Sequence, residues 1–322
     1  MSYSRENVLK AKEIFALKRT DAEARAVERR RELADKFPEI GAIDRELART
    51  GEKIFGAIPA GHDGIDARIA ALREENELLR RRRALLLLAH GYPADYSDLK
   101  YDCPICSDTG YVGIKMCSCM RAELTKLGYE SSGLGRLLDE QTFEAFSLNY
   151  YPPNAVERMR YNLQSLKSFA ESFGDGEAKS WLLFGATGLG KTHLSTAVAK
   201  TVLDRGYDVV YESAQNFFSD FEAERFRAYG QEAPASTARY FSCDLLILDD
   251  LGTELSSQFT VSCLYNILNT RINQKKATII NTNLTQEELR RKYADRITSR
   301  LFGEFRPLAF TGTDIRAQKL KG

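Results

Sequence analysis

The chain of 322 residues carries 46 Lys and Arg against 45 Asp and Glu, a net charge of +1, and 43% of it is hydrophobic. Such a composition can bury a core, which excludes wholesale disorder and collagen-like or mucin-like repeats. The near-neutral balance also excludes a histone-like basic binder, so any nucleic-acid site must be a local patch.

The start, M-S-Y-S-R-E-N-V-L-K-A-K-E, intersperses charges and has no apolar core of a signal sequence. The longest uncharged apolar stretch, Ala84 to His90, is far short of the roughly 20 residues a membrane span needs. These features predict a cytoplasmic protein without a membrane segment. At about 150 residues per domain the length suggests two domains.

Residues 1–100 read as helical, with Val8, Leu9, Ile14, Phe15 and Leu17 as an apolar face among charges. A Gly- and Pro-containing stretch, Gly51 to Gly64, interrupts them. From Ile65 a partial heptad follows: Ile65, Leu72, Leu79 and Leu86 recur every seventh residue, with Ile69, Asn76 and Arg83 between them. That pattern predicts a helical hairpin, or else a surface for another protein's helix or for self-association. Arg80 to Arg83 are expected on a solvated helix face.

Residues 101–125 hold Cys103-Pro-Ile-Cys106 and Cys117-Ser-Cys119, with the polar turn Asp108-Thr-Gly110 between the pairs. Two close cysteine pairs joined by a hairpin can present four thiolates tetrahedrally, which suits a structural Zn²⁺. A redox dithiol, an Fe–S cluster and uncomplexed thiols are the alternatives. Cys243 and Cys263, among apolar neighbours, are expected as small core residues. Residues 126–145 read as a linker, with the domain boundary near 125–145.

From residue 146 to 322 short apolar runs alternate with amphipathic stretches, at Trp181–Phe184, Asp208–Tyr211, Leu245–Leu248, Thr278–Ile280 and, last, from Leu308. This predicts an α/β fold, a parallel sheet with helices on both faces. The first run leads into Gly185-Ala186-Thr187-Gly188-Leu189-Gly190-Lys191-Thr192-His193, a complete G-x-x-x-x-G-K-[ST] phosphate-binding loop between strand and helix. Its backbone N–H groups would cradle the phosphates of ATP, Lys191 would reach the β and γ phosphates, and Thr192 would ligate Mg²⁺. After Leu245–Leu248 come Asp249, expected in the Mg²⁺ shell, and Asp250, expected to polarise the attacking water. Asn283, at the tip of I-I-N-T-N, can orient water or touch the γ-phosphate. Arg296 and Arg300 share one helix face, where either solubility or a contact to a neighbouring subunit's nucleotide would place them.

These residues together resemble the AAA+ ATPases of the DnaC/DnaI helicase-loader family, with the IstB transposition helpers as relatives. The resemblance covers about Gln141 to Lys319 and rests on T-F-E-A-F-S-L, G-A-T-G-L-G-K-T-H-L, L-I-L-D-D-L-G-T-E, I-I-N-T-N-L, R-I-T-S-R-L and G-T-D-I-R. It implies an AAA+ P-loop domain in which Asn283 is sensor 1, Arg300 a finger acting in trans within a homo-oligomer, and Arg316 a sensor 2-like arginine. Only 22 residues follow Arg300, so no full helical lid is expected. The implied activity is ATP hydrolysis coupled to loading a replicative DNA helicase, bound through the N-terminal domain, onto single-stranded DNA. A transposition helper on duplex DNA and a nucleotide-switched adaptor are the alternative readings. In initiator-type relatives an inserted helix after the second strand meets single-stranded DNA. Phe217, Phe218, Arg225 and Arg227 would be the contacts here, with Phe218 the exposed ring. Against this, Phe217 and Phe221 are four apart, and Asp220, Glu222 and Glu224 oppose a phosphate track.

Overall fold

The computed structural model describes residues 3–50, 65–176, 179–226 and 237–319. Contacts divide the chain into two compact units, Lys12–Met120 and Met1–Ala11 with Arg121–Gly322.

The helix α1 (Arg5–Lys36), which belongs to the first unit from Lys12 on, ends where Pro38 disfavours a helical Phe37. Pro38 then opens α2 (Pro38–Ala48), and α3 (Ile65–Ala89) follows. Leu33, Ile40 and Leu87 form the fully buried centre, with Leu86 and Tyr96 against them. Gly41 allows close approach of α2 to α1, since a Cβ there would lie 2.9 Å from Ala34 Cβ. The heptad positions Leu72, Asn76, Leu79 and Leu86 of α3 are partly covered, and Arg83 is buried. The polar seam positions find partners: Asn76 Oδ1 accepts from Thr50 Oγ1 at 2.8 Å, and Arg83 Nε meets Asp44 Oδ1 at 2.6 Å. The expectation of a solvated Arg80–Arg83 face thus fails at Arg83, which is 8% exposed because it sits on the heptad seam; Arg80, Arg81 and Arg82 are exposed.

A two-stranded hairpin, β1 (Tyr111–Val112) and β2 (Lys115–Met116), carries the cysteine window, and α4 (Ser118–Ser131) follows. Residues 126–145 are no linker. Leu134, Leu138 (on α5, Leu137–Glu140) and Phe143 are all buried in the core of the second unit. Short elements had hidden their apolar spacing.

The second unit is a five-stranded parallel sheet built from β3 (Ser180–Phe184), β4 (Val209–Ser213), β5 (Leu245–Leu251), β6 (Ala277–Thr282) and β7 (Phe305–Ala309). The spatial order is β4-β5-β6-β3-β7. Side chains alternate between faces. Leu183, Ile247 and Ile279 meet α6 (Pro153–Glu171) and α7 (Lys191–Asp204), whereas Leu182, Leu246, Leu248 and Ile280 meet the other layer. That layer comprises α8 (Ala214–Arg225), α9 (Ala238–Ser242), α10 (Gln258–Asn273) and α11 (Gln286–Gly303). Both faces being covered, the strands read as continuous apolar runs. A fully buried Arg271 ties this layer together. Its guanidinium donates to the carbonyls of Tyr240 (2.8 Å), Cys243 (3.1 Å) and Ala277 (2.6 Å) and to Thr278 Oγ1 (3.0 Å).

Because β6 lies between the strand leading into the phosphate loop and the strand bearing the aspartates, three strand ends converge at one edge of the sheet. Ligands bind outside the carboxyl ends of such strands.

Candidate nucleotide site and cysteine centre

The loop from Gly185 to Gly190 uses glycine where the backbone demands it. Gly188 (φ +73°) and Gly190 (φ +85°) are left-handed, and a Cβ on Gly190 would lie 2.8 Å from Phe146 Cε2 and 2.9 Å from Tyr151 OH. The loop is pinned from outside: Tyr151 OH donates to Leu189 O at 2.9 Å, and Ile315 N–H donates to Gly188 O at 3.0 Å. Lys191 is the first residue of α7, so the N–H groups of that first turn face the loop, an anion-binding arrangement.

Lys191 Nζ donates to Gly185 O, Ala186 O and Asn283 Oδ1, each at 2.7 Å. Burial pulls its ammonium down to about 8, against the opposing pull of Asp250 and Asp249. Asn283 also donates through Nδ2 to Asp250 Oδ1 at 3.3 Å, so one carboxamide spans the lysine and the acid. Asp250, exposed toward the cavity, is pushed above the usual carboxylate range by burial and by the charge of Asp249.

Asp249 is buried and held by four donors. Its carboxylate accepts from Thr192 Oγ1 at 3.0 Å, Asn281 Nδ2 at 2.9 Å, the Asp250 N–H at 3.0 Å and the Tyr211 hydroxyl. Asn281 in turn donates to Ser195 Oγ at 2.8 Å. The hydroxyl of Thr192 beside a carboxylate oxygen of Asp249 is a hard-oxygen pair that fits Mg²⁺. Tyr211, Asn281 and Ser195 were not singled out from the sequence. The one available signal was Asn281, a carboxamide directly after the apolar pair Ile279-Ile280.

A cavity of about 430 Å³ lies against this constellation. Thr187 to Thr192, Asp250, Asn283 and Arg316 line it together with Phe146, Tyr150 and Ile315. A phosphate-binding loop together with aromatic side chains in one cavity fits a nucleotide. His193 forms part of the wall, but its Nε2–H donates to Thr142 O at 2.8 Å and Phe146 packs edge-on to its ring. Leu189 offers only backbone, its side chain being 2% exposed. Arg316 sits on the short helix α12 (Ile315–Lys319), where a turn was expected. Arg300 is not among the cavity residues. It lies on α11 with Nη2 donating to Asn269 Oδ1 at 2.8 Å and its guanidinium 4.7 Å from the Tyr265 ring, which Arg296 also approaches, at 5.0 Å.

The expected DNA-contact segment needs correction. Phe217 is fully buried and Phe218 is 3% exposed, because α8 turns both, with Phe221, into the apolar layer under Tyr240. Phe218 is therefore not an exposed stacking ring. Arg225 is exposed, over Phe226 (5.6 Å) and Phe259 (5.2 Å), whereas Arg227 lies outside the described residues.

In the other unit, Cys103, Cys106, Cys117 and Cys119 place their sulfurs within 4.8 Å of one another. The pairs Cys103–Cys117 and Cys106–Cys119 stand at 3.9 and 3.4 Å. Tetrahedral Zn–S bonds of about 2.3 Å give an S···S edge of about 3.8 Å, so the donor set fits zinc. Asp108, buried in a left-handed turn, accepts from the N–H groups of Asp102 and Cys103, each at 2.8 Å, and so shapes the first knuckle. A hydrogen bond from the Cys119 N–H helps hold the Cys117 thiol down to about 7. Cys243 is buried, and Cys263 is half-buried against the sheet layer. No described helix is long and apolar enough to cross a membrane.

The chain is similar to several known proteins. The chain is 25% identical over 181 residues to the replicative helicase loader DnaC of Escherichia coli K12, covering 56% of this chain and 71% of that one. It is 27% identical over 228 residues to the phage-like element PBSX protein XkdC of Bacillus subtilis 168, covering 66% and 82%. A crystal structure of the DnaC helicase loader superposes with a TM-score of 0.47 at 22% identity, over 55% of this chain and 99% of that one. Residues 132–302, more than half of the chain, match the family model of the IstB-like ATP binding proteins. The chain belongs to the IstB-like ATP binding protein family, and it is an AAA+ ATPase.

Proposed function

We propose that this ATPase loads a replicative DNA helicase onto single-stranded DNA in the cytoplasm, with ATP holding an assembly on DNA and hydrolysis releasing the partner. The observation that carries the reading is the joining, in one chain, of a complete hydrolysis constellation to a unit bearing a four-cysteine centre. The similarity to a replicative helicase loader supports it.

In this reading Lys191 leaves its carbonyl partners for the β and γ phosphates, which the N–H groups of Gly188 to Thr192 also bind. Thr192 and Asp249 would hold Mg²⁺, which when bound would supply positive charge to offset that of the phosphate oxygens. Asp250 accepts a proton from the attacking water, and Asn283 orients that water. Arg316 faces the phosphates from the same chain. Arg300, remote from its own cavity, reaches the nucleotide of a second copy, so that the active form is a homo-oligomer. The four cysteines hold a structural zinc that keeps the partner-binding unit folded. Arg225 is the described residue left to meet DNA at the end of α8.

The family match also favours a second reading, a transposition helper acting on duplex DNA. The full chain, incubated with ATP and Mg²⁺, separates the two. The loader reading expects retention of the purified replicative helicase of the same cell and its transfer to a single-stranded oligonucleotide. ATP-dependent assembly on duplex DNA with capture of a transposase, and no helicase transfer, would refute it.

A further inference from the structure

The segment D-D-L-G-T-E makes a bulge at the aspartates. Asp250 adopts φ +56°, which a residue with a side chain rarely does, and the pairing of β5 with β6 slips between Leu248 and Leu251. The slip reverses the facing. Leu246 and Leu248 point to the α10–α11 layer, and so does the odd-numbered Leu251. Asp249 keeps the facing of Leu245 and Ile247, toward Thr192, and the inserted residue leaves Asp250 exposed at the cavity.

At the cavity Thr253 holds this strained turn, its N–H (3.2 Å) and Oγ1 (2.9 Å) both donating to Asp250 O, and side chains outside the cavity hold the next residues. Gly252 N–H donates to Glu254 Oε2 at 2.8 Å. Lys292 Nζ donates to Gly252 O at 2.6 Å and Glu254 O at 2.8 Å, and lies 3.3 Å from Glu254 Oε1. The Tyr293 hydroxyl donates to that same Oε1. Glu254 is 7% exposed and Tyr293 fully buried. A carboxylate survives such burial only when its lone pairs are met, and here three donors meet them. Lys292 and Tyr293 belong to α11, and Lys292, Arg296 and Arg300 recur at i, i+4 and i+8 along one face of it.

We propose that Glu254 is a positioning residue for ATP hydrolysis: it holds the bulge that aims Asp250 and locks that bulge to the helix carrying Arg300. A shift of the turn would then misplace the acid and the arginine helix together. The proposal rests on the role given above to Asp250. A Glu254 that merely stabilised the fold would move the melting temperature and leave turnover per folded molecule alone.

The test is steady-state ATP hydrolysis by the full chain carrying Glu254→Ala, Glu254→Gln or Tyr293→Phe, with thermal melting alongside. Glu254→Ala should lower kcat at least about twentyfold, with KM for ATP within about threefold, because the loop around Lys191 is untouched. Glu254→Gln, which still accepts from Gly252 N–H, should recover part of the loss. Tyr293→Phe, which removes one hydroxyl and nothing else, should lower kcat several-fold and carries the test if Glu254→Ala does not fold. Adding Glu254→Ala or Tyr293→Phe to Asp250→Asn should cost less than the same change costs the wild-type chain, since the part of the loss that runs through Asp250 is already gone. Wild-type kcat in both Glu254→Gln and Tyr293→Phe, or losses that multiply with Asp250→Asn, would overturn the proposal. Wild-type turnover by Asp250→Asn alone would refute the role of Asp250 itself, and the proposal with it.

Discussion

Raising the pH from 7 to 9 should weaken nucleotide binding about tenfold through Lys191 alone. Burial holds this ammonium at about 8, far below an ordinary lysine, although Asp250 and Asp249 oppose the shift. At pH 7 about nine-tenths of the molecules carry the charge that phosphates require, and at pH 9 about one-tenth do. Phosphates beside the ammonium raise its affinity for the proton, so binding at pH 9 takes a proton up from solution. Calorimetry in two buffers of different ionisation enthalpy should report uptake rising from about 0.1 to about 0.9 proton per nucleotide over this range. Lys191→Arg keeps its charge throughout and should flatten both the affinity and the proton uptake. The sign for folding is opposite. Between about 8 and the unfolded-state value the unfolded chain binds the extra proton, so stability attributable to Lys191 rises with pH while affinity falls. Equal affinity and negligible proton uptake at pH 7 and 9 in the wild-type chain would refute the reasoning, because a buried lysine facing phosphate cannot behave so.

Two further outcomes bear on the scaffold. The protein purified without chelator should contain one zinc per chain, lost on Cys106→Ser. Because such a site contributes on the order of 10 kcal/mol, chelation should open the cysteine-bearing unit to proteolysis and spare ATP binding; zinc-free protein that is equally protease-resistant would contradict this. Arg271→Met should cost about 3 kcal/mol or more in urea unfolding, since it strips partners from the carbonyls of Tyr240, Cys243 and Ala277 and from Thr278 Oγ1 in a fully buried site. A loss below about 1 kcal/mol would show those acceptors satisfied otherwise.

The phosphate loop was legible because its chemistry is contiguous: Gly185 to Thr192 must wrap a phosphate chain with consecutive backbone groups, so spacing alone reveals it. Asp249 and Asp250 were legible from their place after an apolar strand. The bulge that presents Asp250 at the cavity was not, because a one-residue slip leaves no mark on composition. Tyr211 and Asn281 escaped notice because they sit in strands where every other residue is core, and only pairing across β4, β5 and β6 brings them to Asp249. Arg83 and Arg271 illustrate a second limit. Arginines in an α-helix usually read as solvated, and burial became evident only once Asp44, or a ring of carbonyls, was placed beside them. Phe218 failed in the opposite sense. Three aromatics at 217, 218 and 221 make a stripe wide enough to bury whole, and α9 supplies Tyr240 to cover it.

The central claim is that Lys191 serves binding and Asp250 serves the chemical step. ATP affinity and single-turnover hydrolysis, measured on the wild-type chain, Lys191→Ala and Asp250→Asn, test it most directly. Lys191→Ala should lose nucleotide binding, whereas Asp250→Asn should bind ATP within about threefold of wild type and hydrolyse it at least about 10²-fold more slowly. Tight nucleotide binding by Lys191→Ala, or wild-type hydrolysis by Asp250→Asn, would contradict it.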